Sequence, residues 1–247
     1  MKIIFYNLGY GRGINGSWLS YLQHAHRFFY QSMSSQKSVL DEVAAMVIAE
    51  QPDIFTYAEV GLGAWRTQYF NQHTYLTEII SRRVEQAAAT KYGESVLSRL
   101  PYHSGNGNGV ISFHPARIKA HYLRASQKKL VYVCTIKNLT VFTVHLPLLS
   151  SDRELQLAEL AELVRQASGD VIVCGDFNIF NGFDELAYLQ AQTNLLLTGD
   201  TRKTYPSSSP KWQLDVFLYR FENTHVTVKQ RIIDSKSSDH LPIVLEW

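Results

Sequence analysis

Residues 171–180 read VIVCGDFNIF, an apolar run that stops on Asp176 and Asn178. Val171 to Cys174 suit a strand covered on both faces, where a near-continuous apolar run replaces simple alternation. A core does not take in an unpaired carboxylate or amide. The acid and the amide therefore mark the point where the strand leaves the core.

The same event recurs along the chain. KIIFYN ends on Asn7 before a turn rich in glycine (Gly9, Gly11, Gly13), DIFTYAE ends on Glu59, and LTVFTVH ends on His145. WQLDVFLYR is a strand carrying Asp215, and SSDHLPIVLEW sets Asp239 and His240 before a last apolar strand. ESVLSRLP, GVISFHP and LVYVCTI complete the strand-rich middle. Helical spacing places Leu40, Val43, Ala44 and Val47 on one face of a helix closed by Pro52. A second helix carries Leu157, Leu160, Ala161 and Val164, with Ser151 and Glu154 as its capping box and Arg153 as a solvated residue. Trp18, Tyr21, Leu22, Ala25, Phe28 and Phe29 fall near a helical stripe, which predicts a helix burying its aromatics. The other use of that segment is a lid or a surface for bases, lipid or a partner chain. Interleaved strands and helices give an α/β or α+β class with much sheet.

The composition bounds the function. A chain of 247 residues, 45% hydrophobic and without a long Pro/Gly/Ser-rich or single-charge run, reads as one domain over 1–247. A formal charge of +2 neither demands nor excludes nucleic acid, although Lys and Arg gather in SRR and RASQKK. No apolar run approaches the roughly 20 residues of a spanning helix, and the two cysteines, Cys134 and Cys174, sit in apolar runs. The expectation is a soluble cytoplasmic protein with two buried free thiols. Oligomeric state is not encoded in any of these features.

Taken singly, each strand-end residue has an ordinary explanation: Asn7 in a turn, Glu59 solvated, His145 bonded within a core, Asp176 and Asp239 starting loops. Five such endings along one chain point instead to a shared site, because a sheet holds its end residues rigidly while loops leave space for a substrate. Carboxylates and amides suit a hard cation, Mg²⁺ with Mn²⁺ as a substitute, and a phosphate ester as substrate. Neither cysteine has a partner at zinc-site spacing.

In this order, the YN strand end, PDIFTYAE, VHL, GDFN and SDH resemble the endonuclease/exonuclease/phosphatase superfamily, across nearly the whole chain from Asn7 to His240. The resemblance implies a four-layer sandwich of two mixed sheets flanked by helices, with the active site at one edge. It implies that Asn7 and Glu59 hold Mg²⁺, with Asp239 as a further metal contact. Asp176 would orient or deprotonate the attacking water, and Asn178 and His145 would bind phosphate. His240 would act on the phosphate or the nucleophile, held by Asp215, and Asn108 would lie near the phosphate or serve as a turn residue. Gly9 stands where the abasic-site endonucleases have Asp, which disfavours that branch. The pattern around VHLPLLSSDRELQ is closer to the phosphodiesterase and phosphatase branches. The expected activity is therefore a Mg²⁺-dependent phosphodiesterase of nuclease type. The alternatives are a phosphomonoesterase acting on small or lipid phosphoesters and a catalytically silent relative that binds phosphate. A peripheral membrane protein is a third reading, but few basic residues accompany the aromatic segment.

Overall fold

The computed structural model describes residues 1–80, 85–93, 103–200 and 202–247. The strand expected over ESVLSRLP and the basic SRR cluster fall outside the described residues. Among the described residues, twelve strands form two six-stranded sheets. The first contains β1 (Lys2–Asn7), β2 (Ile54–Gly61), β3 (Glu85–Thr90), β4 (Asn106–Ser112), β11 (Lys229–Ile232) and β12 (Ile243–Glu246), in the order β11-β12-β1-β2-β4-β3. The second contains β5 (Arg117–Tyr122), β6 (Leu130–Ile136), β7 (Leu139–His145), β8 (Asp170–Asp176), β9 (Leu196–Leu197) and β10 (Asp215–Arg220), in the order β5-β6-β7-β8-β10-β9. In each sheet two central strands run parallel, β1 with β2 and β7 with β8, and the other pairings are antiparallel.

Side-chain parity builds the layers. On β1, Ile3 and Phe5 enter a core between the sheets, while Ile4 and Tyr6 face helices α2 (Met33–Glu50) and α3 (Gln72–Ile80). On β8, Ile172 and Cys174 face the other sheet, while Val171 and Val173 meet α4 (Ser150–Arg165) and α5 (Ala187–Thr193). Each central strand is thus buried on both faces, which accounts for the unbroken apolar runs. The result is a four-layer α/β sandwich: helices, sheet, sheet, helices. Both cysteines are buried and unbridged. Among the described residues no helix is long and apolar enough to cross a membrane.

Three local expectations give way to the structure. The helix α4 starts at Ser150 with Leu149 at its N-cap and no side-chain cap, so Ser151 and Glu154 do not form a capping box. Arg153 is not solvated: its side chain is 2% exposed, pairs with Glu185 and donates to the carbonyls of Pro147 and Leu148. It ties the loop after β7 to the helix that follows. The aromatic segment forms a short helix, α1 (Trp18–His24), and a 3-10 turn (Ala25–Phe28), and it does not bury its stripe. Trp18, Leu22 and Phe29 are 76%, 56% and 64% exposed, because only Tyr21 and Phe28 turn toward the protein's polar end.

Candidate active site

The rows of residues that fill the space between the sheets end in polar side chains. On β1 the row Ile3, Phe5 continues to Asn7; on β7, Leu139 and Val141 continue through Thr143 to His145; on β8, Ile172 and Cys174 lead to Asp176. Phe217 shares this face with Asp215 on β10, and Val110 shares it with Asn108 on β4. His145, Asp176 and Asp215 lie side by side across three adjacent strands. Asn108 is a buried strand residue, so the turn reading does not hold.

Glu59 reaches the same face by a different device. Phe55 and Tyr57 point to the helices, so an uninterrupted β2 would send Glu59 there as well. The register between β2 and β4 shifts between Tyr57 and Val60, and Glu59 adopts φ 55°. This bulge puts Val60 on the helix side and turns Glu59 toward the gap between the sheets. The backbone N–H of Glu59 donates to Asn108 Oδ1 at 3.3 Å, which fixes the bulge.

Asn7, His145, Asp176, Asn178, Asp215, Asn108 and His240 are all buried. Asn7 Nδ2 donates to Asp176 Oδ2 at 2.9 Å, and Asn7 Oδ1 accepts from the Gly9 N–H at 3.2 Å. His145 Nε2 lies 4.0 Å from Glu59 Oε1 and 3.6 Å from Asp176 Oδ2. His240 Nδ1 meets Asp215 Oδ2 at 2.8 Å, and its Nε2 lies 3.8 Å from Asp176 Oδ2. Asn178 takes a left-handed conformation, which its short amide tolerates, with φ 51°. Its N–H caps Asp176 Oδ1 at 3.1 Å, and one amide N–H is spent on the Leu146 carbonyl at 2.8 Å.

Asp239 sits on the far side of Glu59. Both line a cavity of about 150 Å³ together with Gly9, Arg12, Tyr21 and Phe28. Tyr21 donates to Asp239 Oδ2 at 3.2 Å, and Ser238 Oγ to Oδ1 at 3.2 Å. A Cβ on Gly9 would stand 3.1 Å from Ser238 Oγ and 3.4 Å from Asp239 Oδ1, so glycine keeps this pocket open. A larger surface cavity, about 590 Å³ between α2 and the segment 233–237, holds none of the strand-end set.

The electrostatics separate the two histidines. Burial alone would lower the pKa of His240, but the carboxylates of Asp215 and Asp176 outweigh it and raise it to about 10. Burial, reinforced by Lys128, holds His145 well below its ordinary value, so it is a neutral imidazole. Burial raises Asp176 to about 6 against the pull of His240. For Glu59, burial is outweighed by Lys91, Lys128 and Arg12, which hold it at about 2.

Two lysines near the site went unread in the sequence. Lys91 Nζ lies 3.3 Å from Glu59 Oε1 with a side chain only 3% exposed, and Lys128 Nζ meets His145 Nε2 at 2.8 Å. The signals were TKYG and the QKK of RASQKK, but loop residues carry no periodicity that would aim them.

Two donor groups fit a divalent metal. Glu59 and Asp239 line an open pocket, and Asn7 Oδ1, which accepts from the N–H of the pocket residue Gly9, adds a third oxygen, a set suited to a hard cation. Asp176, Asp215 and His240 are the other, with ligand atoms within 4.8 Å of one another among the described residues. In the second group His240 is protonated and committed to Asp215, which makes it a poor ligand.

The family model for the endonuclease/exonuclease/phosphatase family matches residues 27–240. The chain belongs to this family. No curated protein sequence matches the chain. Solved structures share its fold at low identity. A protein of the family from Leptotrichia buccalis C-1013-b is 17% identical with a TM-score of 0.68, covering 100% of this chain and 98% of that one. A humanized D. rerio TDP2 with 14 mutations is 15% identical with a TM-score of 0.65, covering 99% and 97%. The mannosyl-6-phosphatase of Bacteroides thetaiotaomicron VPI-5482 is 14% identical with a TM-score of 0.65, covering 100% and 98%. At these identities the likeness speaks for the fold of this family member and not for its substrate.

Proposed function

We propose that the protein is a divalent-metal-dependent hydrolase of phosphate esters, Mg²⁺ being the metal its oxygen donors suit, and that 1–247 works as one domain. The observation that carries this reading is the convergence of Asn7, Glu59, Asp176 and His240, from both sheets and a loop, into one side-chain cluster joined through His145. Glu59, Asp239 and Asn7 would hold the cation. When bound there it supplies positive charge to a non-bridging phosphate oxygen.

The remaining steps belong to the chain's own residues. Asp176, ionised at neutral pH yet raised to about 6 by burial, is basic enough to draw a proton from a water held against its carboxylate. The water oxygen forms a bond to phosphorus as the bond to the leaving oxygen breaks in line. His240, kept charged by Asp215, stands 3.8 Å from Asp176 on the side of the attacking water, so its Nε2 N–H donates to a phosphoryl oxygen there, and the departing oxygen takes its proton from solvent water. Asn178, through its second amide N–H, and Asn108, beside Glu59, border the phosphate position. His145, 3.6 Å from Asp176 and 4.0 Å from Glu59, borders its other side.

The test is a hydrolysis panel of single-stranded DNA, RNA, phosphotyrosyl-linked DNA, phosphoinositides and sphingomyelin, with Mg²⁺ and with chelator. At least one phosphoester is expected to be turned over with Mg²⁺ and spared with chelator. Turnover that persists at full rate in chelator contradicts the metal-dependent reading.

A further inference from the structure

Four cations stand around Glu59 without a part in the chemistry described above; one of them, Arg66, is buried 5.3 Å from the Tyr10 ring and bonded to Asn106. Lys91 is buried against Glu59 Oε1 at 3.3 Å. Lys128 reaches the group from the other side, bonded to His145 Nε2 at 2.8 Å, and that nitrogen lies 4.0 Å from Glu59. Arg12 lines the pocket shared by Glu59 and Asp239, its guanidinium held 4.8 Å from the Tyr10 ring and 4.5 Å from the Phe28 ring. Its Nε has no hydrogen-bond partner although it is buried.

These cations matter because of the charge they leave unmatched. Apart from the His240–Asp215 pair, the carboxylates of this cluster are Glu59, Asp176 and Asp239, and its cations are Arg12, Arg66, Lys91 and Lys128, with Arg66 sharing the Tyr10 ring with Arg12 and Lys91. The cations are in excess by one before any metal or substrate arrives. A divalent cation would then bring two further positive charges into a buried setting, where unpaired charge is costly. A substrate phosphate must supply the counter-charge. A phosphodiester carries one negative charge, whereas a phosphomonoester carries close to two at neutral pH, as phosphorylated side chains do. The donors fit the same partner. An ammonium has three N–H groups, and Lys128 has spent one on His145, leaving two for the oxygens of a terminal phosphoryl group. Lysine acts there as a point charge without the planar fork of arginine, which suits three equivalent oxygens.

We infer that Arg12, Lys91 and Lys128 form a cationic wall that takes a terminal phosphoryl dianion, making phosphomonoesters the substrate class of this site. The inference rests on the phosphoester-hydrolase reading and narrows it away from the phosphodiesterase that the sequence motifs suggest. The dianion could belong to a free small molecule or to a phosphorylated lipid headgroup; the wall recognises the group they share.

The experiment compares p-nitrophenyl phosphate with methyl p-nitrophenyl phosphate, which share a leaving group, on the Mg²⁺-supplemented wild-type protein and on Lys128→Met and Lys128→Arg. Wild type is expected to prefer the monoester in kcat/KM. Lys128→Met should lose about tenfold to a hundredfold on the monoester, the range of a charge-assisted hydrogen bond, and clearly less on the diester. Lys128→Arg should retain most of the preference. A wild-type preference for the diester, equal losses on both esters, or equal damage in both variants would overturn the wall. Should neither ester be hydrolysed, calorimetry with inorganic phosphate and dimethyl phosphate decides the wall by itself, and the hydrolase reading is decided separately by the ester panel with Mg²⁺ and with chelator. Phosphate binding that exceeds dimethyl phosphate and weakens in Lys128→Met supports it; equal affinities refute it. Adding a soluble short-chain phosphorylated lipid headgroup as a third ester separates the two sources of the dianion.

Discussion

Asp215 makes the residue-scale logic concrete. One of its oxygens holds His240 Nδ1, which fixes the ring so that Nε2 faces Asp176, while its other oxygen is buried without a partner. The imidazolium of His240 supplies the countercharge beside this buried carboxylate. His240→Ala and Asp176→Ala should each lower turnover by about a thousandfold or more, the scale on which groups acting on the transition state are missed. Circular dichroism should stay native in both, because neither side chain fills the apolar core. Turnover within a few-fold of wild type in a natively folded variant would remove that residue from the mechanism.

At the scale of elements, the bulge in β2 shows both the reach and the limit of the sequence. Parity along β1, β7, β8 and β10 was readable, since apolar residues alternate between two cores and the polar residue at the end inherits its face. The sequence groups Asn7, His145 and Asp176 by their strand ends and reaches Asp215 only through the family resemblance; parity is what puts all four on one face. Glu59 was named from its strand-end position, yet parity alone sends it to the helices; the left-handed turn that redirects it has no glycine to announce it. Lys91 and Lys128 were invisible for a related reason, being loop residues whose direction is set by tertiary contacts. Arg153 misled because an arginine on an amphipathic helix normally faces water, whereas here Glu185 follows it into the protein. The outer layer carries its own pH dependence. His73 on α3 is buried against the Tyr57 hydroxyl, and burial lowers its pKa to about 4. The unfolded chain, with an ordinary histidine, binds the proton more readily, so stability should fall as pH drops from about 6.5 toward 4. The amplitude is about 3 kcal/mol at most. Urea melts of wild type and His73→Gln across that window check it: the variant should show a flatter acid limb, and parallel limbs would assign the loss to other groups.

The whole molecule works as a clamp with its reactive residues at one end. Thr56 on one sheet donates to Thr143 on the other at 2.8 Å, deep between the layers and two residues before His145 on its strand. The sheets therefore meet through a fixed polar contact just beneath the pocket, and the apolar core below it sets their separation. Glu59 and Asn7 come from one sheet, and His145, Asp176 and Asp215 from the other, so the pocket exists only while both are packed together. The segment bearing Tyr21 and Phe28 closes its outer side and leaves Trp18, Leu22 and Phe29 exposed beside the entrance. The most direct measurement of this arrangement is anomalous diffraction from crystals soaked with Mn²⁺ and inorganic phosphate. The account predicts a manganese peak between Glu59 and Asp239, with phosphate lying between it and His240. A manganese peak on Asp176 and Asp215 with Glu59 still bound to Lys91, or phosphate only at the surface, would contradict it.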